Sequence, residues 1–191
     1  MRDLRLSVLL LPLIAACASS SASSPGPETT IVPSTASLVM GGTSSGAQMN
    51  MGLTNTYTAI ATSVSVAPDS AYQVLTRVYA MLEIPVAPVD VKRAVGNDEL
   101  KIRRRIAGMP MQKVIDCGEK MGLPNAETWD IHMNLLSYVQ PGANGGSQIF
   151  TRIQALGNPT DISNRDLTPC STTGELEKKI GDMAVKLLNN K

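Results

Sequence analysis

The chain of 191 residues is poor in aromatic residues and in histidine. Aromatic side chains make up 3% of it, and there is one histidine. A hydrophobic core must therefore be built mainly from valine, isoleucine, leucine and methionine. Zinc sites need about four ligands, so a metal site is not expected, and nothing in the composition calls for a cofactor. The formal net charge of +1 gives no global field that would attract nucleic acid.

The N-terminal segment lacks a hydrophobic run long enough to cross a bilayer. The apolar run Leu6–Ile14 is about nine residues long, whereas a spanning helix needs roughly 20. Arg2 and Arg5 precede the run, and Ile14-Ala15-Ala16-Cys17 closes it. A basic start, a short apolar middle and small residues before a cleavage site are typical of a secretory signal.

This segment resembles a bacterial lipoprotein signal with its lipobox. The resemblance implies that the Cys17 thiol receives a diacylglycerol, that the peptide is cut before Cys17, and that the new amine is acylated, for example with palmitate. Ala18 stands where an aspartate would mark retention at the inner membrane. We therefore expect a lipid anchor in the outer membrane, with the protein facing the periplasm. The alternative is a plain signal peptide with an incidental cysteine.

Two cysteines remain once Cys17 is assigned to the anchor. An exported chain enters an oxidising compartment, where two such cysteines usually pair. We therefore predict a disulfide between Cys117 and Cys170. A reactive thiol is the other alternative.

Composition divides the chain into three parts. Residues 1–17 form the signal, residues 18–55 form a flexible tether rich in Ser, Gly, Thr and Pro, and residues 56–191 form a single α+β domain. Within the tether, short strands are considered at Ala36–Met40 and Gln48–Leu53.

Hydrophobic periodicity predicts the order strand, helix, two strands, short helix, two strands and helix in the domain. The first half of the domain is predicted to contain a strand over 56–66, a helix from Pro68 that stops before Pro85, and a hairpin of 89–95 and 100–106 around Gly96–Glu99. A short helix or turn over 111–117 follows, and then strands over 128–139 and 148–156. A loop over 157–171 leads to a final helix, which begins after a capping box between Thr172 and Glu175.

Short connections between strands favour an antiparallel sheet. About five strands with two amphipathic helices on one face give a two-layer α+β sandwich. This order resembles a helix-grip arrangement. Together with the lipobox it is similar in outline to the small domains of the periplasmic lipoprotein subunit of the outer-membrane β-barrel assembly machinery. No functional residue is carried over from that resemblance.

Basic residues gather on the second strand of the predicted hairpin. Period 2 places Lys101, Arg103 and Arg105 on one strand face, which Lys92 and Arg152 would extend. Such a face would meet an anionic partner: lipid head groups, lipopolysaccharide, peptidoglycan carboxylates or an acidic protein. The favoured interpretation is simpler, since the solvated face of a half-buried sheet carries the same residues without a partner.

The signals for catalysis are weak. Gly42–Gly46 matches the pattern G-x-S-x-G, but its flanks are rich in glycine and serine instead of forming a strand and a helix. The only histidine, His132, has no partner residues for acid–base chemistry nearby in sequence. Ten scattered methionines indicate core filler and not a copper site. No catalytic residue is predicted.

The sequence therefore predicts a non-enzymatic lipoprotein of the cell envelope whose tethered domain binds another envelope protein or an anionic surface. The alternative is a carrier that holds a small apolar ligand or lipid in a groove between the sheet and the C-terminal helix. A filled interior would favour the first function, and an unfilled apolar groove would favour the second.

Overall fold

A computed structural model of the chain describes residues 28–31, 58–160 and 167–190. The signal, Cys17, the strands considered at 36–40 and 48–53, and the Gly42–Gly46 motif lie outside the described residues. The helices are Pro68–Met81 (α1), Asn125–Thr128 (α2) and Glu175–Asn189 (α3), with single 3-10 turns at Met111–Lys113 and Ala143–Gly145.

Most of the remaining backbone is extended. The strands are Glu28–Ile31 (β1), Thr58–Val64 (β2), Ala94–Ile102 (β3), Arg105–Ile106 (β4), Met109–Pro110 (β5), Ile115–Asp116 (β6), Glu119–Lys120 (β7), Leu123–Pro124 (β8), Asp130–Pro141 (β9), Ser147–Asn158 (β10) and Thr168–Thr172 (β11).

Seven of these strands form one sheet, in which every described pair is antiparallel. The spatial order is β3, β9, β10, β2 and β1. β11 pairs with the C-terminal part of β10, on the same side as β2, and β6 follows β11. β4 with β5, and β7 with β8, are separate small hairpins. The predicted α+β class with a mostly antiparallel sheet and helices on one face is confirmed.

The long hairpin of β9 and β10 forms the centre of the sheet. In β10 buried and half-buried residues alternate along the whole strand, as expected for one face towards a core and one face away from it. In β9 the inward residues include Ile131, Met133 and Leu135, which are at most 1% exposed. These two strands and their inward faces agree with the sequence prediction.

The two long helices cover the inward face. α1 begins at Pro68, whose fixed φ suits the first helical position, and buries Leu75, Val78 and Tyr79. α3 buries Leu176, Ile180 and Ala184, and Gly181 of the same helix lies where an added Cβ would collide with the Thr62 side chain. The close approach of α3 to β2 therefore depends on a glycine.

The predicted hairpin of 89–95 and 100–106 is wrong. Gly96–Glu99 does not reverse the chain but lies inside β3, where the register with β9 shifts between Asn97 and Leu100. The Asn97 side chain accepts a hydrogen bond from the Glu99 amide, so the turn-forming residues make a bulge instead. Gly96 is needed there because a Cβ would collide with the backbone carbonyl of Leu135.

Two expectations near the C-terminus are also corrected. Cys170 lies in β11 and not in an irregular loop, because Thr168–Cys170 pairs with the end of β10. The capping box between Thr172 and Glu175 does not form. Instead Gly174 precedes α3 with a φ of 84°, and the Thr172 hydroxyl donates to Glu177.

β1 lies inside the segment assigned to the tether. Glu28 is opposite Ala61 and Ile31 is opposite Thr58 in an antiparallel pair. This pairing differs from the expectation of an unstructured tether at these four residues. Only residues 18–27 separate Cys17 from the first described strand.

Candidate functional site

The layer between the helices and the sheet is filled. Its largest fully buried side chains come from α1, α3, β9, β10 and the segment around β6. An open surface depression of about 370 Å³ lies on the outer side of α3 and not between the layers. It is lined by Met109, Met183, Glu175, Asp182, Lys178, Lys179 and Lys186. No apolar groove between the sheet and α3 is found among the described residues.

A chain of hydroxyl groups crosses this filled layer. The Tyr79 hydroxyl lies 2.8 Å from the Ser137 hydroxyl, which lies 2.7 Å from the Thr151 hydroxyl. All three side chains are buried. The chain links α1 to β9 and β10 and satisfies each buried hydroxyl, as buried polar groups require. Burial raises the pKa of Tyr79, so its hydroxyl stays protonated and serves as a structural donor or acceptor.

Glu177 is a buried carboxyl group near this chain of hydroxyls. Its side chain is 1% exposed, and the Thr172 hydroxyl donates to one oxygen at 2.6 Å. The other oxygen, Oε2, is buried without a hydrogen-bond partner among the described residues. Burial is the main cause that raises the pKa of Glu177 to about 7, and the bond from Thr172 opposes it. The sequence reading missed Glu177, although its spacing from Ile180 and Ala184 places it beside the apolar stripe of α3.

The outer face of the sheet is opposite the two long helices. At its centre the rings of Tyr138 and Phe150 stack with centroids 5.2 Å apart. Arg152 lies two residues further along β10, opposite Leu136. Its Nε is buried and has no hydrogen-bond partner in the part of the chain that the structure describes. This outer face therefore combines an aromatic pair with a cation whose donor capacity is incompletely used.

The five basic residues predicted to form one face are dispersed. Lys101 and Arg152 do share the outer face, but their rows lie four residues apart along β9, which is about 13 Å. Lys92 lies in an exposed turn before β3. Arg103 and Arg105 lie beyond the end of β3, where the period of 2 no longer applies. The prediction that Lys101, Arg103 and Arg105 share one strand face is wrong.

The chain turns sharply at Arg104. The Arg105 amide donates to the Arg103 carbonyl at 2.9 Å, and Arg104 between them has a φ of 70°. This is a tight three-residue turn with strained backbone at its apex. Arg104 alternates in sequence with Leu100, Ile102 and Ile106, which predicts that it shares their apolar face, but the residue is exposed and this prediction is wrong. We call Arg103–Arg105 the arginine turn.

A second exposed feature lies in the hairpin of β7 and β8. Its turn residues Met121 and Gly122 have φ values of 55° and 75°, and Met121 is 95% exposed while Leu123 is 63% exposed. The hairpin starts at Glu119, two residues after Cys117. The predicted partners Cys117 and Cys170 are at disulfide distance, with sulfur atoms 2.02 Å apart. We call Met121 and Leu123 the apolar tip.

The described residues show no catalytic or metal-binding constellation. His132 lies on the outer face opposite Lys101 and Leu156. No group of three or more His, Cys, Asp or Glu side chains that could hold a metal ion occurs within 28–31, 58–160 and 167–190. In the same ranges, no helix has the length and apolar character needed to cross a bilayer. No protein-family model, no curated protein and no solved structure matches this chain.

Proposed function

We propose that the protein is a non-enzymatic, lipid-anchored module of the bacterial cell envelope whose folded domain binds another envelope component. The anchor rests on the sequence Ile14-Ala15-Ala16-Cys17, and the location faces the periplasm from the outer membrane. A Cys117–Cys170 disulfide is compatible with that oxidising compartment.

The filled interior is the observation that carries the proposal. A carrier of small apolar ligands needs a cavity of several hundred Å³ lined by apolar groups. Here the space between sheet and helices is occupied by side chains such as Tyr79, Met111 and Met133, which are at most 1% exposed. Binding through the molecular surface is therefore favoured over binding inside the sandwich.

The outer face of the sheet is the surface we assign to a protein partner. It lies opposite the long helices and carries the Tyr138–Phe150 stack. Aromatic and arginine side chains contribute most to protein interfaces. Arg152 lies beside this stack on β10 and is half-buried, and arginine is among the residues that interfaces use most.

Mass spectrometry of the mature N-terminus tests the anchor. We expect an acylated Cys17 as the first residue, and a Cys17→Ser variant that carries no acyl chain and keeps the signal segment. An unmodified chain that starts at another residue would show that the anchor does not exist.

Photo-crosslinking in intact cells tests the interaction surface. A photoreactive residue replacing Gln154 on the outer face should give a discrete crosslinked species that contains a second envelope protein. The same residue at Gln73, exposed on α1, is the matched control and should give none. Equal crosslinking at both positions, or at neither, would contradict the assignment.

A further inference from the structure

The arginine turn is fixed in place by several bonds although it lies on the surface. Besides the bond within the turn, the Arg104 carbonyl accepts from the Met111 amide at 2.8 Å. The Arg105 guanidinium donates to the Gly108 carbonyl at 2.7 Å, and Lys179 of α3 donates to Ala107 at 2.9 Å. Glycine would relieve the positive φ at the apex, yet the chain has arginine there. Its side chain is thus presented outward on a rigid support.

The positive charge of the turn is poorly neutralised. Arg103 Nε lies 3.4 Å from Asp130 Oδ1, and both side chains are more than half exposed. Among the described residues, no ion pair or hydrogen bond engages the Arg104 guanidinium. The segment 100–115 has cations at 101, 103, 104, 105 and 113 and no acidic residue, in a chain of formal net charge +1. Charge complementarity therefore favours the binding of an anion at this turn.

The chemistry of guanidinium groups narrows the type of anion. Arginine offers a planar fork of donors that matches the oxygens of phosphate and forms paired hydrogen bonds with them. Three consecutive arginines supply more donors and more charge than a single carboxylate can use. A phosphate group suits the arginine turn best.

The apolar tip distinguishes a lipid surface from a soluble anion. The arginine turn and the hairpin of β7 and β8 both belong to the segment between Ile102 and Ile131, which are register partners at one end of the sheet. Met121 and Leu123 are exposed on that hairpin. One segment of the chain, between β3 and β9, thus exposes both cations and apolar side chains, a combination that suits the headgroup region of a bilayer. A free phosphate or an acidic protein would gain no binding free energy from contact with the apolar tip.

We infer that the arginine turn binds the phosphate groups of anionic lipid headgroups at a membrane surface while Met121 and Leu123 enter its apolar boundary. The inference rests on the proposed envelope location, because the anchor would keep such a surface within reach. Glu28, the first residue of β1, lies in the row of Phe150, which is seven residues or about 23 Å along β10 from the row of Ile131. A chain of the length of residues 18–27 can reach at most roughly 35 Å, which allows this distance. Docking through this end of the sheet would leave the outer face free for a protein partner.

Vesicle flotation of the mature chain, residues 17–191 with Cys17→Ser, tests this inference without the lipid anchor and without the apolar signal segment. The vesicles contain phosphatidylcholine alone or with a minor fraction of phosphatidylglycerol. We expect binding to the phosphatidylglycerol vesicles only, weakened by salt. Arg104→Gln should lower the partition coefficient about fivefold, which corresponds to about 1 kcal/mol for one basic side chain near an anionic surface. Met121→Ser should lower it as well.

Two matched variants serve as controls. Arg77→Gln removes the same charge from an exposed position on α1, and Met81→Ser removes an exposed methionine, 60% accessible, at the end of α1. Both should bind like the parent chain. Free glycerol phosphate should compete only weakly, because it lacks the apolar phase that the tip needs.

Several outcomes would overturn the inference. Equal losses for Arg104→Gln and Arg77→Gln would show a response to net charge alone. Equal binding to both vesicle types would exclude recognition of anionic headgroups, because phosphatidylcholine carries a phosphate but no net charge. Binding of polyglutamate that depends on Arg104, with no vesicle binding, would point to an acidic protein. Because Cys17 is replaced in every sample, failure here is separate from failure of the lipid anchor, which mass spectrometry decides.

Discussion

Glu177 shows how a single residue makes this fold sensitive to pH. Its carboxyl group is buried, which disfavours the charged form and raises its pKa from 4.5 to about 7. The folded state therefore holds a proton that the unfolded state releases at lower pH. Stability from this residue is fully present below about pH 4.5 and is lost as the pH rises through about 7. The total effect is roughly 3 kcal/mol.

Glu177→Gln should abolish this pH dependence. Glutamine matches the neutral acid in shape and can still bond Thr172, but it needs no proton. We expect the variant to exceed the wild type in free energy of unfolding by roughly 2 to 3 kcal/mol at about pH 8, and to equal it near about pH 4.5. Urea unfolding at the two pH values measures the difference.

Glu175→Gln is the control, because Glu175 lies two residues earlier in the same helix and is exposed. It should keep the slope of the wild type between the two pH values. Parallel slopes for Glu177→Gln and the wild type would contradict the role assigned to Glu177. The sequence alone does not reveal that Glu177 is buried, since a glutamate beside an apolar stripe usually lies at the solvent boundary.

At the level of elements, the sequence predicts those parts whose burial follows a clear period. The alternation along β9 and β10 and the helical spacing in α1 and α3 each contain several apolar positions, so one misleading residue does not change the result. β3 has Gly96 and Asn97 at its centre, which are also the residues of a tight turn. The choice between a turn and a bulge depends on β9, which lies far away in sequence.

Gly96→Ala tests the interpretation of β3 as one continuous strand. An added Cβ would meet the Leu135 carbonyl in the neighbouring strand, so β3 and β9 would have to separate locally. We expect a loss of about 1 to 3 kcal/mol in the free energy of unfolding, as for other overpacked sites. Chemical denaturation measures it.

Asp98→Ala is the comparison, because Asp98 is exposed and lies in the bulge of the same strand. It should change the free energy of unfolding by less than about 0.5 kcal/mol. A Gly96→Ala variant as stable as Asp98→Ala would favour the turn that the sequence first indicated. The same bulge and strand end explain why the period of 2 failed for Arg103 and Arg105.

At the scale of the whole molecule, the order of strands could not be read from the sequence. Short connections favour an antiparallel sheet, but they do not say that β2 and β11 share one side of β10, or that β6 completes that side. Such pairings join residues far apart in the chain. The cysteines are the exception, because only Cys117 and Cys170 remain in the sequence once Cys17 is assigned to the anchor. Their bond joins the segment after β6 to β11.

Loss of this disulfide should weaken the long segment between β3 and β9. Cys117 follows β6, a two-residue strand that pairs with Ser171 and Thr172 of β11. We expect the double variant Cys117→Ala/Cys170→Ala to lose about 2 to 4 kcal/mol in free energy of unfolding, because the unfolded chain is no longer constrained. Urea unfolding with and without dithiothreitol measures this loss.

The reductant also distinguishes the effect of the disulfide bond on the free energy of unfolding from the effect of packing by the two side chains. Dithiothreitol should destabilise the wild type by a similar amount and leave the double variant unchanged. Recovery of Cys117 and Cys170 as free thiols from native protein, or a wild type indifferent to the reductant, would refute the disulfide. If the bond is present, the β7–β8 hairpin and its apolar tip emerge from a covalently fixed base. Reduction should then lower the contribution of Met121 and Leu123 to vesicle binding more than the contribution of the arginine turn, because the disulfide does not hold that turn in place.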